Sequence, residues 1–183
     1  MKILLTSAGF INKRIEQAFL DIIDKPPNEA KVLFIPTAAS NVGAILVLPK
    51  CINELLTAGI SEKNIDVYNF HTKISSGMLR QYDVIYVTGG VTKYLLSRIN
   101  ETGFQHVLKE FIADGGIYVG VSAGSIAITN TFHDSLGYIN CTLHVHQDYG
   151  SPSGAVDMTN CPKITLTDNQ AILVVDGGCR IIE

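Results

Sequence analysis

Five short apolar runs, Ile3-Leu5, Val32-Ile35, Ile65-Tyr68, Val84-Val87 and Ile117-Val119, recur along the first two thirds of the chain with segments of helical period between most of them. Continuous runs rich in Val and Ile are what strands look like when both faces of a sheet are covered, so the pattern predicts parallel strands with helices on either side. Each run is followed by Thr, Pro, Asn or Gly, residues suited to leaving a strand at its carboxyl edge. The expected fold class is therefore α/β, a three-layer arrangement with a mostly parallel sheet, over one domain spanning 1–183.

The helix signals agree with this order. A first helix is expected over Asn12 to Asp24, with Ile15, Phe19, Ile22 and Ile23 on one side and Pro26-Pro27 as its stop. A second runs from Val42 to Ala58 and closes at Gly59, with Pro49 as a candidate kink; two more are expected around Thr92-Arg98 and Gln105-Asp114. Beyond Ile128 the pattern weakens. The segments Lys163-Leu166, Ala171-Val175 and Cys179-Ile182 read as short antiparallel strands separated by Asp168-Asn169 and Asp176-Gly177-Gly178.

Composition excludes several classes of function. Hydrophobic residues make up 46% of the 183 and charged ones 17%, which supports an ordinary apolar core rather than disorder. A net charge of −3 with no long basic run argues against nucleic acid as a partner. No run reaches the roughly 18 apolar residues of a membrane span, and the amino terminus reads as a strand, so no membrane partner is expected and the cytoplasm is the expected location. Cys51, Cys141, Cys161 and Cys179 form no C-x-x-C pair and read as reduced thiols.

Gly120-Val121-Ser122-Ala123-Gly124 fits G-x-S-x-G, follows an apolar strand and opens a helical stretch from Ala123 to Ile128. That context is what a nucleophilic serine needs: a strained turn lifts the hydroxyl clear, and small neighbours make the turn sterically possible. The Ala123 N–H, at the positive end of the helix, is placed to meet an oxyanion. The alternative is a glycine-rich turn that only packs helix on sheet.

A serine needs a base, and the chain offers five histidines. His71 and His106 precede the turn in ordinary surroundings. Of the later three, His144 and His146 alternate and would share a face of one strand. Their H-x-H spacing lacks a third ligand at a recognisable interval, so no metal or other cofactor is expected. The base needs a carboxylate to orient it: Asp134 is the one between the turn and the histidine pair, and Asp148 lies just beyond it, although both also suit turn positions. A second glycine-rich segment, Val87-Thr88-Gly89-Gly90, follows the fourth strand and can face the same crevice, where the N–H of Gly89 or Gly90 would complete an oxyanion hole.

Four segments taken in order, Phe34-Ile35-Pro36-Thr37-Ala38, Val87-Thr88-Gly89-Gly90, Gly120 to Gly124 and His144-Val145-His146, give the chain a resemblance to the serine peptidase family that includes peptidase E (aspartyl dipeptidase) and cyanophycinase. The resemblance implies a flavodoxin-like fold akin to class I glutamine amidotransferases, with serine in place of the cysteine nucleophile. It also implies Ser122 as nucleophile, His146 as base, the Gly90 and Ala123 amides as oxyanion donors, and, as third member, an acidic residue a little more than ten positions after the serine, which Asp134 approximately matches. A small peptide is the implied substrate, with no cofactor; an exposed edge strand or helix face could support a homodimer. The chain departs from the family in being short, compressed between Gly137 and Pro162, and in having Arg180 as its sole arginine after Ser122. A strict demand for aspartyl substrates therefore has no nearby arginine in sequence behind it, although Arg14, Arg80, Arg98 and the lysines could still reach the site in three dimensions. Two other readings share the residues: a non-catalytic binding or regulatory protein, and an esterase or amidase acting on a non-peptide acyl group.

Overall fold

The computed structural model describes all 183 residues. Along the chain lie β1 (Lys2–Thr6), α1 (Lys13–Ile22), β2 (Val32–Ile35), α2 (Val42–Thr57), β3 (Ile65–Val67), α3 (Ser76–Leu79), β4 (Val84–Val87) and α4 (Thr92–Thr102). They are followed by α5 (Phe104–Ala113), β5 (Ile117–Val121), α6 (Ala123–Ala127), β6 (Thr142–His144), β7 (Gly154–Ala155), β8 (Lys163–Thr165), β9 (Ala171–Val175) and β10 (Gly178–Ile182). Eight strands form one sheet in the order β3-β2-β4-β5-β1-β9-β10-β7, parallel from β3 to β1 and antiparallel beyond. All five strands expected from the apolar runs are parallel members of this sheet. No helix is long and apolar enough to cross a membrane.

Alternation along each strand divides the interior into two cores. Leu4, Val32, Phe34, Val84, Tyr86 and Val119 point to one face, where α1 contributes Ile15, Phe19 and Ile22 and α2 contributes Cys51 and Leu55. Ile3, Leu5, Leu33, Ile35, Ile85 and Tyr118 point to the other and meet α4, α5 and α6. Each such fully buried side chain is worth about 1.5–3 kcal/mol relative to exposure, and a strand buried on both faces collects that at every position. Asn12 starts α1 by accepting hydrogen bonds from the Arg14 and Ile15 N–H groups, and Asn41 does the same for Ala44 in α2.

The last third departs from the expectation in one respect. β9 and β10 form the expected antiparallel hairpin, with β9 also paired to β1. Lys163–Thr165 does not join them: β8 pairs in parallel with β6 in a separate two-stranded sheet. A run of three ladder residues carries too little pattern to reveal its partner, and register here is set by the loops that flank it.

The turn after β5 packs unusually close. A Cβ added at Gly124 would lie 2.3 Å from the Val87 carbonyl oxygen, and one at Gly120 would lie 2.6 Å from the Ser125 nitrogen. Both contacts are with backbone, which cannot swing aside. Gly124→Ala should therefore lower the unfolding free energy by about 2 kcal/mol or more, whereas Gly43→Ala, exposed in α2 with its nearest neighbour at 3.6 Å, should raise it by roughly 0.5 kcal/mol. Denaturant titration of both variants checks the contrast.

Candidate active site

Ser122 occupies the sharp bend between β5 and α6 with φ 48° and ψ −104°, a backbone conformation that side chains rarely adopt and that costs about 1–3 kcal/mol. The surroundings hold it there. The Ser122 N–H donates to the Thr6 carbonyl at 3.0 Å. Ser125 Oγ lies 2.8 Å from both the Thr6 and Gly120 carbonyls, and Thr6 Oγ1 donates to the Gly120 carbonyl at 3.1 Å. The end of β1 thus fastens the bend from below, and the hydroxyl of Ser122 is left facing a cleft.

His146 Nε2 lies 3.0 Å from Ser122 Oγ, and its Nδ1 lies 2.6 Å from Asp168 Oδ1. Ser7, at the carboxyl end of β1, joins the two partners: its Oγ accepts from the His146 N–H at 2.8 Å and donates to Asp168 Oδ1 at 3.0 Å. The β6–β8 pair explains why these groups meet. Parallel strands deliver their following residues to the same end, so His146, two positions past β6, and Asp168, three past β8, emerge side by side. Further bonds continue the pairing: the Leu166 N–H donates to the His144 carbonyl at 2.8 Å, and the Gln147 N–H donates to the Leu166 carbonyl at 3.0 Å. Buried Gln170 secures the Asp168 turn by accepting from the Thr167 N–H and donating to the Ser151 carbonyl.

Two readings of the sequence are corrected by this geometry. The carboxylate beside His146 is Asp168, not Asp134. Asp134 stands exposed in the turn after α6 and makes no side-chain hydrogen bond, and neither does Asp148 in its bend. In addition, His144 and His146 do not share a strand face. β6 ends at His144, whose side chain is exposed, while His146 has left the ladder with φ 57° and turns toward Ser122.

The glycine-rich segment after β4 reaches the same cleft. A Cβ at Gly89 would lie 3.2 Å from Ser122 Cβ, so the two residues are in contact, and Gly90, at φ 140°, runs within van der Waals reach of the Ala38 carbonyl. Neither the Gly89 nor the Gly90 N–H donates to a protein acceptor. Ala123, buried, is the first residue of α6, and the first N–H groups of a helix have no partner inside it. The structure thus brings Ser122, His146, Gly89, Gly90 and Ala123 together, adds Ser7 and Asp168, and leaves Asp134 out. Ser7, Gly89, Gly90, Ser122 and His146 border a cleft of about 200 Å³, closed on its far side by α2 through Ala44, Val47, Leu48 and Cys51.

Burial tends to raise the pKa of Asp168, but hydrogen bonds from His146 and Ser7 and the charges of His146 and Lys50 outweigh it and hold the carboxyl below its ordinary value. A depressed folded-state value stabilises the fold at pH above the unfolded value of about 3.9, and that contribution is lost as pH falls through the folded value. Wild type should therefore melt above Asp168→Asn at neutral pH by a margin that shrinks below about pH 4. Thermal melts of both proteins between pH 7 and pH 2.5 measure it.

Comparison with known proteins gives consistent results. The sequence model described as peptidase family S51 matches residues 3–149. Over 137 residues the chain is 33% identical to the uncharacterized peptidase Lin0382 of Listeria innocua, covering 75% of this chain and 60% of that one. It is 29% identical over 99 residues to peptidase E of a Shewanella species, covering 54% of this chain and 40% of the other. The chain spans about three fifths of the length of the first of these relatives. A solved structure from Listeria monocytogenes EGD-e, provisionally assigned as a peptidase E protein, superimposes with a TM-score of 0.78 at 22% identity, covering 100% of this chain and 98% of that one. At that identity the likeness speaks for the fold.

Proposed function

The chain belongs to peptidase family S51, and from that premise we propose that it is a serine peptidase of small peptides in which Ser122, His146 and Asp168 act as a triad. The observation that carries the reading is the unbroken chain of contacts from Ser122 Oγ through the imidazole to Asp168, at 3.0 and 2.6 Å. A protein that only bound a ligand on this fold would have no use for a serine held at a costly φ opposite an oriented imidazole.

In the proposed reaction Ser122 Oγ attacks the scissile carbonyl carbon while His146 Nε2 accepts the hydroxyl proton. Asp168, accepting from Nδ1–H, fixes the tautomer that leaves Nε2 free and stabilises the imidazolium that forms. Charge develops on the carbonyl oxygen, and the N–H groups of Gly89 or Gly90 and of Ala123 are the donors we assign to it. The imidazolium then protonates the leaving amine as the C–N bond breaks, giving an acyl ester on Ser122. Water, deprotonated by the same imidazole, hydrolyses that ester and returns the serine. Every proton is accounted for without a cofactor.

The cleft of about 200 Å³ falls below the roughly 300–1,000 Å³ of sites that enclose drug-sized ligands and suits a single residue of a substrate; the small peptide and the dipeptidase-like action rest on the family. Four free thiols are compatible with a cytoplasmic setting.

A fluorophosphonate probe should label the wild type and fail to label Ser122→Ala. Against a cleavable small peptide, His146→Ala and Asp168→Ala should each lower kcat/KM on the order of 10³-fold or more, while Asp134→Asn and His144→Ala stay within about threefold of wild type. Equal losses in Asp134→Asn and Asp168→Ala would overturn the assignment of the third member. Absence of labelling in the wild type would overturn the peptidase reading itself.

A further inference from the structure

The cleft beside Ser122 has one apolar wall and a single lysine, which faces a carboxylate. The wall is the inward and lateral surface of α2, where Ala44, Val47 and Leu48 face the site, with Ala8 and Val121 beside them. Val47 is 48% exposed, an apolar side chain held at the lip of a site rather than sunk in a core. The helix continues the same character outward: Val42, Ile45 and Leu46 are all exposed, at 74, 51 and 74%. A soluble helix normally turns such residues inward, so an apolar first half with little covering it marks a surface for apolar contact.

Charge at the site points the same way. Lys50 is the sole basic side chain lining the cleft besides His146; its side chain is half exposed, and its Nζ lies 3.6 Å from Glu54 Oε1 and donates to the Ala8 carbonyl at 3.3 Å. The Glu54 carboxylate, largely buried, is anchored in turn by the Phe10 N–H and the Tyr86 hydroxyl. The lysine therefore already faces a carboxylate of its own. The arginines are elsewhere: Arg98 pairs with Glu101 and donates to the Phe70 carbonyl, Arg80 pairs with Asp114, and Arg14 and Arg180 border a different cleft between α1 and β10. Asp168 adds a negative charge behind His146. An acidic substrate side chain placed here would lose water against an apolar wall and compete with Glu54 for Lys50, whereas an aliphatic one would cover carbon already lacking neighbours.

Resting on the serine peptidase reading, we infer that this site selects an uncharged, aliphatic side chain on the residue whose carbonyl Ser122 attacks, with α2 as the specificity wall, and discriminates against aspartyl residues. That residue is the one nearest Ser122, so it fills a cleft of this size before any other part of a peptide does. A single apolar side chain in such a pocket is worth at least about tenfold in specificity.

The test compares two diphenyl aminoalkylphosphonates, one with a leucine-type and one with an aspartate-type side chain, by their second-order rates of inactivating the full-length protein. Fluorophosphonate labelling is run alongside as an independent report on Ser122. The leucine-type reagent should react at least about tenfold faster. Val47→Arg, which places a cation at an exposed lip position and spares the core, should cut that ratio by a similar factor. Labelling by the fluorophosphonate with equal or faster reaction of the aspartate-type reagent, with reaction of neither phosphonate, or with a ratio unmoved by Val47→Arg, overturns the inference and leaves the peptidase reading standing. Failure of the fluorophosphonate to label overturns both.

Discussion

The site depends on the fastening of one bend. Ser122 would relax out of its positive φ if the chain on either side could move, and it cannot, because the Thr6 carbonyl at the end of β1 takes both the Ser122 N–H and the Ser125 hydroxyl. Gly120 and Gly124 let the helix sit close enough for those bonds to form. The strain of about 1–3 kcal/mol is thus met by hydrogen bonds in the centre of a doubly covered sheet, where they are shielded from water. Strand order matters for the same reason. β1 lies beside β5 in the middle of the sheet, and a bend at its edge would have only one neighbour to hold it.

The same strand end organises the other half of the site. Ser7 follows Thr6 directly, and its hydroxyl bonds to the backbone of His146 and the carboxylate of Asp168 together. Two adjacent residues at the end of β1 therefore tie down Ser122 and the His146–Asp168 pair, which come from segments far apart in the chain. The small parallel pair of β6 and β8 carries out the coarse positioning, and Ser7 fixes the fine distance. This division explains how so small a strand pair can deliver an imidazole to Ser122: three ladder residues on each strand are enough when their far ends are pinned to the main sheet.

Legibility in the sequence follows the amount of local pattern. The five parallel strands are readable because burial on both faces leaves unbroken apolar runs, and Ser122 because a serine flanked by glycines, with a strand before it and a helix after, carries its whole context within a few residues. His146 is readable through family resemblance, but its conformation is not: alternation predicts a strand continuing past His144, and nothing local announces the positive φ that ends it. Asp168 is hidden from any reading that places the carboxylate near the histidine in the chain, because it lies more than twenty residues further on, in the Thr167-Asp168-Asn169 turn. A signal does exist. Asp-Asn between two strand-like runs reads as plain turn chemistry, and only the pairing of Lys163–Thr165 with Thr142–His144 places that turn next to the histidine.

The position of α2 shows how a fold of this kind can change what it accepts without changing its chemistry. The bend, the imidazole and the carboxylate all hang on β1, β5 and the β6–β8 pair, whereas the wall opposite Ser122 is a helix held to the sheet mainly by Cys51, Leu55 and the Glu54 anchor in its second half. Its first half stands proud of the core, so substitutions at Val42, Ile45, Leu46 or Val47 alter little that the fold needs. Glu54 links the two roles: it neutralises Lys50 at the cleft while its other oxygen holds Phe10 and Tyr86 in the core. Removing Glu54 to leave Lys50 without its carboxylate would also remove the acceptor on which Phe10 and Tyr86 rely. The pairing of Lys50 with Glu54 thus ties the charge of the cleft to the packing of the face that α2 covers.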